Sequence, residues 1–332
     1  MTFNYRWNLS DGYPAAGVDK HGLKVMTTFA CGGGSSMGYK LAGYDVVAAN
    51  DIDPQMARVY TENHKPKQFF EMPVKDLINR DDLPKVDILD GSPPCSTFST
   101  TGLREKAWGK NKKFREGQAV QVLDDLFFDF IELTDKMQPS VAVTENVKGM
   151  LIGNAKGYTR LIKQAFETIG YTCQVFLLNG ATMGLPQARE RVFFVAHKTE
   201  KKLQLKFDEL PVYFTQISDN DDKSSNLTPL YRKYYREANR GESVGKFVSK
   251  RKLMFGRVPP TIVASSRNFH PNIPRELNDK ETKLMGSYPL DYDFMEVDPN
   301  YLIGMSVPPL MMANVAHEIY EQLLRPEKLE DN

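Results

Sequence analysis

The sequence predicts an α/β fold built on a doubly wound, mostly parallel sheet. Short apolar runs rich in β-branched residues alternate with segments of helical periodicity, which is typical of parallel strands joined by crossover helices. The first run, Val25–Phe29, leads into a glycine turn and a short helical pattern. The second run, Val46–Asn50, ends in the acidic residue Asp51. A strand, a glycine turn, a helix and an acid after the next strand together indicate a Rossmann-like sheet.

The composition is that of an ordinary globular protein. The chain has 332 residues, of which 41% are hydrophobic and 26% charged, and its formal net charge is +1. A nucleic-acid partner would therefore need a locally basic surface, because the overall charge would not supply one. No apolar stretch approaches the roughly 20 residues that span a bilayer, and residues 1–23 lack the apolar core of a secretion signal. We expect a cytoplasmic monomer without membrane attachment.

Cysteine and histidine usage argues against disulfides and metals. The three cysteines include no Cys-x-x-Cys pair, which favours a reducing compartment over a disulfide framework. The five histidines are scattered without metal-ligand spacing, so we expect no metal site.

Further elements follow from apolar periodicity. Strands are predicted at Asp87–Gly91, Ser140–Thr144, Cys173–Leu178 and Val192–Ala196, and helices at 118–137, at 157–170 and from Ser306 to Leu323. From about Thr199 the alternation of strands and helices fades. We therefore predict a catalytic and cofactor-binding domain at 1–199, a small inserted domain at 200–270, and a return segment at 271–332 that completes the first domain.

The glycine turn indicates a nucleotide-type cofactor. A strand followed by glycines and a helix start lets the backbone approach such a ligand and aims helix N–H groups at it. The glycines miss the G-x-G-x-x-G spacing, which argues against an ordinary dinucleotide enzyme. Asp51 lies where this fold binds a ribose hydroxyl pair. A tight turn without a ligand is the alternative.

The same turn contains a G-x-S-x-G pattern at Gly34–Gly38, which marks the nucleophile of α/β-hydrolases. That serine must lie directly on the strand-to-helix turn, whereas three glycines intervene here. Ser35 and Ser36 are better interpreted as N-cap residues of the helix. A serine hydrolase is therefore a minor alternative.

Cys95 is the strongest candidate nucleophile. The strand Asp87–Gly91 is followed closely by Pro93 and Pro94, which fix the direction of the backbone. Cys95 would thus lie at the carboxyl edge of the sheet, where open α/β sheets bind ligands. The alternative is a small buried residue near a strand end, the commonest role of a free cysteine.

Charged residues at neighbouring strand ends complete the constellation. Glu145 follows the strand Ser140–Thr144, and partial desolvation at the sheet edge would let it act as an acid. Arg189 and Arg191 lie two residues apart at the entry of the strand Val192–Ala196, so they point the same way. Both could contact a carbonyl, a carboxylate or a phosphate.

Two segments are locally basic and aromatic. Residues 104–116 have six basic and two acidic residues around Trp108 and Phe114, and residues 230–257 have nine basic and two acidic residues among aromatic side chains. Such segments suit phosphate contacts and the wedging of a ring into stacked bases. Ordinary solvated basic surfaces are the alternative.

In their order along the chain, from about Lys24 to Leu323, these motifs resemble those of cytosine-C5 DNA methyltransferases. The matches are Phe29–Gly34, Asp51, Pro94-Cys95, Glu145-Asn146-Val147, Gln187–Arg191, Arg275-Glu276-Leu277 with Glu281, Leu284-Met285-Gly286 with Pro289, and Gly304–Pro309. Each motif is short, but the ordered set is highly specific.

The resemblance implies a class I methyltransferase fold, S-adenosyl-L-methionine as cofactor, and double-stranded DNA as substrate, read by a target-recognition domain at 200–270. A restriction endonuclease is a potential partner. The implied catalytic residues act on a flipped-out cytosine, and they are Cys95, Glu145, Arg189 and Arg191. The implied cofactor site comprises Phe29, Ala30, Cys31, Gly32, Gly33, Gly34, Asp51, Ile52, Asp76, Ser92, Pro94 and Ser306. The expected DNA contacts are Ser99, Arg104, Lys112, Lys113, Arg232, Lys233, Arg236, Lys250 and Arg251.

Three positions depart from the family pattern. Ser96 replaces the glutamine usual after the nucleophile, and Met305 replaces an asparagine. Pro73 stands where an acid that contacts adenine is expected, which leaves Asp76 as the nearest candidate. The open alternatives are an RNA cytosine-C5 methyltransferase of similar architecture and an inactive DNA-binding relic. A zinc deaminase also flips cytosine, but its second cysteine and His-x-Glu are missing.

Overall fold

The structure of the protein, a computed structural model, describes residues 2–94, 111–112, 121–122, 126–153, 155–225, 227–244 and 247–326. The strands within these ranges are β1 (Lys24–Thr28), β2 (Asp45–Asp51), β3 (Gln68–Glu71), β4 (Ile88–Gly91), β5 (Asn111–Lys112), β6 (Gln121–Val122), β7 (Val141–Val147), β8 (Thr172–Asn179), β9 (Glu190–His197), β10 (Ser243–Val244) and β11 (Phe247–Arg251).

The helices of the described ranges follow the same chain order. They are α1 (Gly34–Leu41), α2 (Pro54–His64), α3 (Val74–Leu77), α4 (Leu126–Met137), α5 (Ala155–Thr168), α6 (Phe214–Ile217), α7 (Pro229–Glu237), α8 (Asp279–Met285), α9 (Pro299–Met305) and α10 (Pro309–Ile319), with a π-helical turn at Tyr320–Leu324. Short 3-10 turns lie at Leu9–Asp11, Lys148–Leu151 and Gly180–Thr182.

A seven-stranded sheet in the order β3-β2-β1-β4-β7-β9-β8 organises the described residues. The first five strands in this order pair in parallel, whereas β9 runs antiparallel to both β7 and β8. The carboxyl ends of β1, β2, β4 and β7 therefore meet the beginning of β9 at one edge. This topology confirms the predicted doubly wound, mostly parallel α/β fold.

Helices cover both faces of the sheet, so its central strands have no solvated side. In β4, Ile88 packs into the core with α1 and α10, whereas Leu89 packs into the core with α4 and α5. Strand β7 is buried along nearly its whole length for the same reason. A strand covered on both faces reads as a continuous apolar run, which is why β4 and β7 could be found in the sequence.

Two glycines let α1 lie unusually close to the chain around α10. A Cβ atom on Gly34 would lie 2.0 Å from the carbonyl oxygen of Val307, and one on Gly38 would lie 2.5 Å from Cβ of Met312. Both distances are shorter than any packing can tolerate, so glycine is required at each position. Helix α1 is thus held tightly between the sheet and α10.

Two local predictions are wrong. The predicted helix 118–137 begins only at Leu126, and Gln121–Val122 instead pairs with Asn111–Lys112. Because Val122 lies one helical turn before Leu126, apolar periodicity could not place the helix start. The N-cap of α1 is Gly33, with φ 74°, and not a serine. Ser35 and Ser36 lie inside the first turn, where both are buried.

The residues predicted to form the insert have a hydrophobic cluster of their own around Phe269. It combines α7 and β10 through Tyr235 and Val244. Lys250, a predicted DNA contact, is buried beside this cluster: its ammonium forms an ion pair with Glu276 and sits over the rings of Tyr231 and Phe269. Its contact with DNA stays a prediction. The separate cluster supports an inserted unit, while the predicted boundaries at 200 and 270 stay a prediction.

A buried ion pair attaches the insert to the return segment. Both terminal nitrogens of the Arg275 guanidinium donate to the carboxylate of Glu281, at 2.7 and 3.0 Å. Arg275 also donates to the carbonyl oxygen of Asp219, and Glu281 accepts the backbone N–H of Asp219. Removing either partner would leave an unpaired buried charge, which is strongly destabilising.

Within the described ranges, no helix is long and apolar enough to cross a membrane.

Replacing Gly38 by alanine should destabilise the protein by about 1–3 kcal/mol, because the new methyl group would press α1 away from Met312. The matched control is Gly157→Ala in α5, where a Cβ meets nothing within 4 Å. That change should be neutral or stabilising by up to about 1 kcal/mol, since alanine favours the helix. Urea unfolding of the two variants measures the difference; equal stabilities would contradict the close packing of α1.

Candidate active site

The glycine turn after β1 has an alternating left-handed backbone. Phe29, Cys31 and Gly33 have φ values of 51°, 48° and 74°. Residues other than glycine rarely adopt such angles, and the strain persists only where the surrounding structure enforces it, often at ligand sites. The first turn of α1, which begins at Gly34, has N–H groups that a helix cannot satisfy internally. The turn is therefore suited to anchoring a polar or anionic group.

Asp51 ties the end of β2 to this turn. One carboxylate oxygen accepts the backbone N–H of Cys31 at 2.7 Å, and the other accepts that of Asp53 at 2.9 Å. Burial raises the pKa of Asp51 to about 6, although these two N–H groups favour its charged form. The predicted ribose-binding acid thus lies beside the turn, as its position in the sequence indicates.

The turn is supported from behind by His64 and Tyr292. The hydroxyl of Tyr292 donates to the carbonyl oxygen of Gly32 at 2.6 Å, and Nε2 of His64 lies 3.4 Å from the same oxygen. Burial lowers the pKa of His64 well below its usual value, so the ring is neutral. Since Lys40 can only donate to Nδ1 of His64, at 3.3 Å, Nε2 carries the proton. A Cβ atom on Gly33 would lie 2.1 Å from Nε2 of His64, which requires glycine there.

The remaining predicted cofactor residues lie at different depths. Ser306 is buried: its hydroxyl donates to the carbonyl oxygen of Leu302 at 2.8 Å and lies 3.6 Å from Sγ of Cys31. Ala30, Gly32, Gly33 and Gly34 are buried, whereas Phe29, Cys31, Ile52, Ser92 and Pro94 are half-buried. Asp76 is exposed on α3. The fold thus brings Ser306 to the glycine turn from the far end of the chain.

The end of β4 is held by β7. The side-chain amide of Asn146 donates to the carbonyl oxygen of Pro93 at 3.0 Å, and its own oxygen accepts the N–H of Val147 at 2.8 Å. This contact fixes the chain two residues before Cys95. Cys95 lies outside the described residues, as do Ser99, Arg104 and Lys113 and the side chain of Lys112.

Glu145 and Arg191 form an ion pair at the sheet edge. Nε of Arg191 lies 2.8 Å from a carboxylate oxygen of Glu145, and the side chains are 14% and 10% exposed, respectively. The pair forms because β9 runs antiparallel to β7, which sets Arg191 opposite Val147. Burial lowers the pKa of Arg191, and the Glu145 carboxylate opposes that shift.

Arg189 has different partners from Arg191, although the two were predicted together. Its guanidinium donates to the carbonyl oxygens of Ile262, Gly304 and Ser306, at distances of 3.3, 3.1 and 2.9 Å. Burial lowers the pKa of Arg189 to about 9, which still leaves it charged at neutral pH. Arg189 thus joins β9 to the return segment and is only 2% exposed.

Sequence reasoning missed a buried carboxylate beneath the site. Asp90 lies in the middle of β4 and is 1% exposed, and it accepts hydrogen bonds from Ser35 and Tyr39 of α1. The signal in the sequence that could have revealed Asp90 is an acidic residue within an otherwise apolar strand. Among the described residues, no group of three or more His, Cys, Asp or Glu side chains could hold a metal.

The fold and the site together define the class of enzyme to which the protein belongs. A seven-stranded sheet with one antiparallel strand, a glycine turn after β1 and an acid after β2 is the architecture of class I methyltransferases, a class whose fold implies S-adenosylmethionine. The sequence model of the C-5 cytosine-specific DNA methylases matches residues 23–255. The chain belongs to this family and is a DNA cytosine-C5 methyltransferase.

Full-length bacterial relatives support the assignment. The chain is 26% identical to the Type II methyltransferase M.FnuDI of Fusobacterium nucleatum, over 92% of this chain and 97% of the relative. It is 28% identical to the Type II methyltransferase M.Bsp6I of Bacillus sp. (strain RFL6), over 91% of this chain and 100% of the relative.

Solved structures share the fold. A protein from E. coli described as a DNA modification methyltransferase encoded within a prophage superposes with a TM-score of 0.70 at 20% identity, covering 91% of this chain and 99% of the other. DNMT2 of Spodoptera frugiperda superposes with a TM-score of 0.65 at 17% identity, covering 90% and 99%.

Replacing Arg189 by methionine should lower the free energy of unfolding by about 2–4 kcal/mol, because buried carbonyl oxygens lose their donors. The control Arg160→Met changes an exposed arginine of α5, so it should cost less stability. Guanidinium unfolding of both variants measures this difference. A stability loss for Arg189→Met no larger than that for Arg160→Met would contradict the bracing role of Arg189.

Proposed function

We propose that this enzyme methylates C5 of a cytosine flipped out of duplex DNA, through a covalent bond between Cys95 and C6 of the base. The observation that carries the proposal is the Glu145–Arg191 pair, which lies at the edge where β4 leads towards Cys95. The contact between Asn146 and Pro93 supports it, because it joins these two strand ends directly. Flipping is required since C5 and C6 are inaccessible in a stacked duplex, and it costs roughly a few kcal/mol.

The other two thiols support Cys95 as the nucleophile. Burial raises the pKa of Cys31 and of Cys173 to about 12, so both remain protonated thiols at neutral pH. A thiolate is the reactive form of cysteine. A cysteine that follows a fixed proline pair at the sheet edge is the remaining candidate in the sequence.

The glycine turn fits S-adenosyl-L-methionine. A Cβ atom on Gly33 or Gly34 would clash with His64 or Val307, so the turn keeps its backbone bare, and the first turn of α1 offers N–H groups. We propose that this turn and Ser306 hold the cofactor and that Asp51 contacts its ribose. Ile52, Ser92 and Pro94 are proposed to border it, and Asp76 to reach its adenine. When bound, the cofactor supplies an electrophilic methyl group from its sulfonium.

The proposed chemistry begins with addition of the Cys95 thiolate to C6, which forms the S–C6 bond and moves the C5–C6 π electrons to C5. Glu145 holds or protonates N3 and so accommodates the charge that develops on the ring. When bound, the cofactor would supply the methyl group that the C5 electron pair takes up, and its sulfur would keep the C–S bonding pair as a thioether. Loss of the C5 proton to water returns its electron pair to the ring, re-forms the C5–C6 double bond and expels the thiolate, and N3 returns any proton taken from Glu145.

The two arginines receive different proposed roles. Arg191 is aligned with Glu145 and is proposed to contact the base carbonyl. The guanidinium of Arg189 donates its described hydrogen bonds to backbone carbonyl oxygens. We therefore propose that Arg189 acts mainly by keeping Arg191 and the return segment in place.

Cys95→Ser should abolish methyl transfer and leave the affinity for S-adenosyl-L-methionine nearly unchanged. Wild-type enzyme should form a covalent adduct with DNA containing 5-fluorocytosine, because fluorine cannot leave C5. The matched control is Cys173→Ala, which removes a buried thiol and should retain the adduct. Gel electrophoresis under denaturing conditions detects the adduct. Its absence from wild type with cofactor and target present would reject the mechanism, and lost cofactor affinity in Cys95→Ser would make Cys95 structural.

We propose that α7 is part of the DNA-binding surface. Arg232, Lys233 and Arg236 are exposed on this helix, while Tyr235 anchors it in the insert. The exposed Arg251 of β11 is a further proposed contact. Ser99, Arg104, Lys112 and Lys113 stay predicted contacts. Lys250 also stays a predicted contact, and its ammonium is buried in an ion pair with Glu276.

Replacing Arg232, Lys233 and Arg236 together by alanine should weaken DNA binding and reduce the magnitude of its log–log salt slope by about 2–3, since each phosphate contact releases about one counterion. The charge-matched control replaces Lys156, Arg160 and Lys163, which are exposed on α5. It should leave the slope unchanged. Fluorescence anisotropy at several salt concentrations measures both variants, and equal slopes would place the DNA elsewhere.

Duplex DNA is the proposed substrate in preference to RNA, on the ground of the family and of the insert. A transfer assay with tritiated methyl groups on duplex DNA and on transcribed RNA distinguishes the two. The Type II names of the relatives point to a restriction endonuclease that cuts the same site. We propose such a partner for this enzyme as well.

A further inference from the structure

The proposed mechanism gives no role to Asp90, a buried acid beside the site. Asp90 is the third residue of the four-residue strand β4, whose other residues are Ile88, Leu89 and Gly91. A buried carboxylate is costly unless it is hydrogen-bonded, so its presence in the central strand calls for a specific partner. Side chains alternate along a strand, which places Asp90 on the same face as Ile88, towards α1.

Both partners of Asp90 come from one face of α1. The hydroxyl of Ser35 donates to one carboxylate oxygen at 2.6 Å, and the hydroxyl of Tyr39 donates to the other at 3.2 Å. Residues four apart on a helix lie one above the other, so a single carboxylate can receive both bonds. The shorter distance is typical of a charge-assisted bond. Asp90 therefore fastens α1 to β4 at two points.

The fastening withstands a change of protonation. Burial raises the pKa of Asp90 to about 7, a rise that the two hydroxyls oppose and that Glu145 increases. Hydroxyl groups can donate and accept, so Ser35 and Tyr39 remain bonded to the carboxyl in either form. The contact thus acts as a mechanical link rather than as a titrating switch.

The link joins the two reacting sides of the site. Ser35 is the second residue of α1, directly after the glycine turn proposed to bind the cofactor. Asp90 is followed by Gly91, Ser92 and the proline pair that leads to Cys95. Each side also has separate supports, because Asp51 and Tyr292 hold the glycine turn and Asn146 holds Pro93.

We propose that Asp90 is a positioning residue that sets the distance and direction between the methyl donor and the target base, acting through Ser35 and Tyr39. This inference rests on the proposed function. Methyl transfer requires close alignment of three atoms, and a displacement of about 1 Å can cost up to about 100-fold in rate. A side-chain link from the nucleophile strand to the cofactor helix restricts that displacement.

Ser35→Ala and Tyr39→Phe test the link because each removes one hydroxyl without burying a new group. Each should lower the single-turnover rate of methyl transfer by about 10-fold, whereas the dissociation constants for cofactor and DNA should change by less than about threefold. The affinities should persist because Asp51, Tyr292 and Asn146 still hold the two sides. The rates are measured in a single turnover at saturating cofactor and DNA, because slow product release could otherwise hide a change in the rate of methyl transfer.

The matched control is Tyr171→Phe. Tyr171 is 2% exposed, and its hydroxyl donates to the carbonyl oxygen of Pro139 at 2.7 Å, before the beginning of β7 and so at the opposite edge of the sheet. Its loss should lower stability without changing the single-turnover rate. Asp90→Asn keeps a donor and an acceptor for the two hydroxyls and should retain most of the rate, whereas Asp90→Leu should lose at least as much as either hydroxyl variant.

Two outcomes would overturn the inference. One is that folded Ser35→Ala and Tyr39→Phe transfer methyl groups as fast as Tyr171→Phe. The other is that cofactor affinity falls in proportion to the rate, which would make Asp90 a support of the glycine turn alone. Failure of the proposed covalent mechanism is detected separately, by absence of the 5-fluorocytosine adduct in wild type. Whether or not that adduct forms, the transfer rates of Ser35→Ala and Tyr39→Phe relative to that of Tyr171→Phe decide the role of Asp90.

Discussion

The arrangement of the site depends on one buried guanidinium, that of Arg189. Its hydrogen bonds to Ile262 of the predicted insert and to Gly304 and Ser306 of the return segment fasten both to the entry of β9. This contact brings Ser306 to the glycine turn, although the two are far apart in sequence. It also fixes the start of the antiparallel strand on which Arg191 lies opposite β7. A neutral side chain of similar length could fill the space, but it could not satisfy three carbonyls.

The second constraint is the burial of acids at the carboxyl edge of the sheet. Asp51, Asp90 and Glu145 lie at or near the ends of three strands and are at most 9% exposed. Each is compensated differently: Asp51 by backbone N–H groups, Asp90 by hydroxyl groups, and Glu145 by a guanidinium. Because every compensating group comes from a different element, the acids also fix those elements relative to one another. The polar contacts of the site thus contribute to its geometry as well as to its chemistry.

The basic residues of the insert divide into two groups. Lys250 and Lys252 lie over aromatic rings of the insert, with 4.1 Å between each ammonium and the nearer ring centre. They stabilise the insert, where the cation is attracted to the ring face. Arg232, Lys233 and Arg236 instead face solvent on α7. A protein with a net charge of +1 therefore has a concentrated basic surface on one short helix.

Much of the fold was predictable because its signals are local. The central strands are covered on both faces and read as apolar runs, and β1, β2, β4, β7, β8 and β9 all lie where these runs predict them. The helix α4 was placed correctly only at its end, because Val122 continues the apolar spacing into a region where the chain pairs as a strand. The capping of α1 was mispredicted for a different reason: the serines are used by tertiary partners that the local sequence does not show.

The sequence by itself determined the class of fold, the strand ends that carry the functional residues, and the family, because strand, turn and motif order are properties of neighbouring residues. Only the tertiary structure decided that the two arginines have different partners, since those of Arg189 are carbonyls more than 70 residues away. It likewise decided that Lys250 is buried against Glu276 and that Asp90 links β4 to α1. The physical reason is the same in each case. A charged side chain reaches its partner through space, and the partner is chosen by packing that no local pattern records.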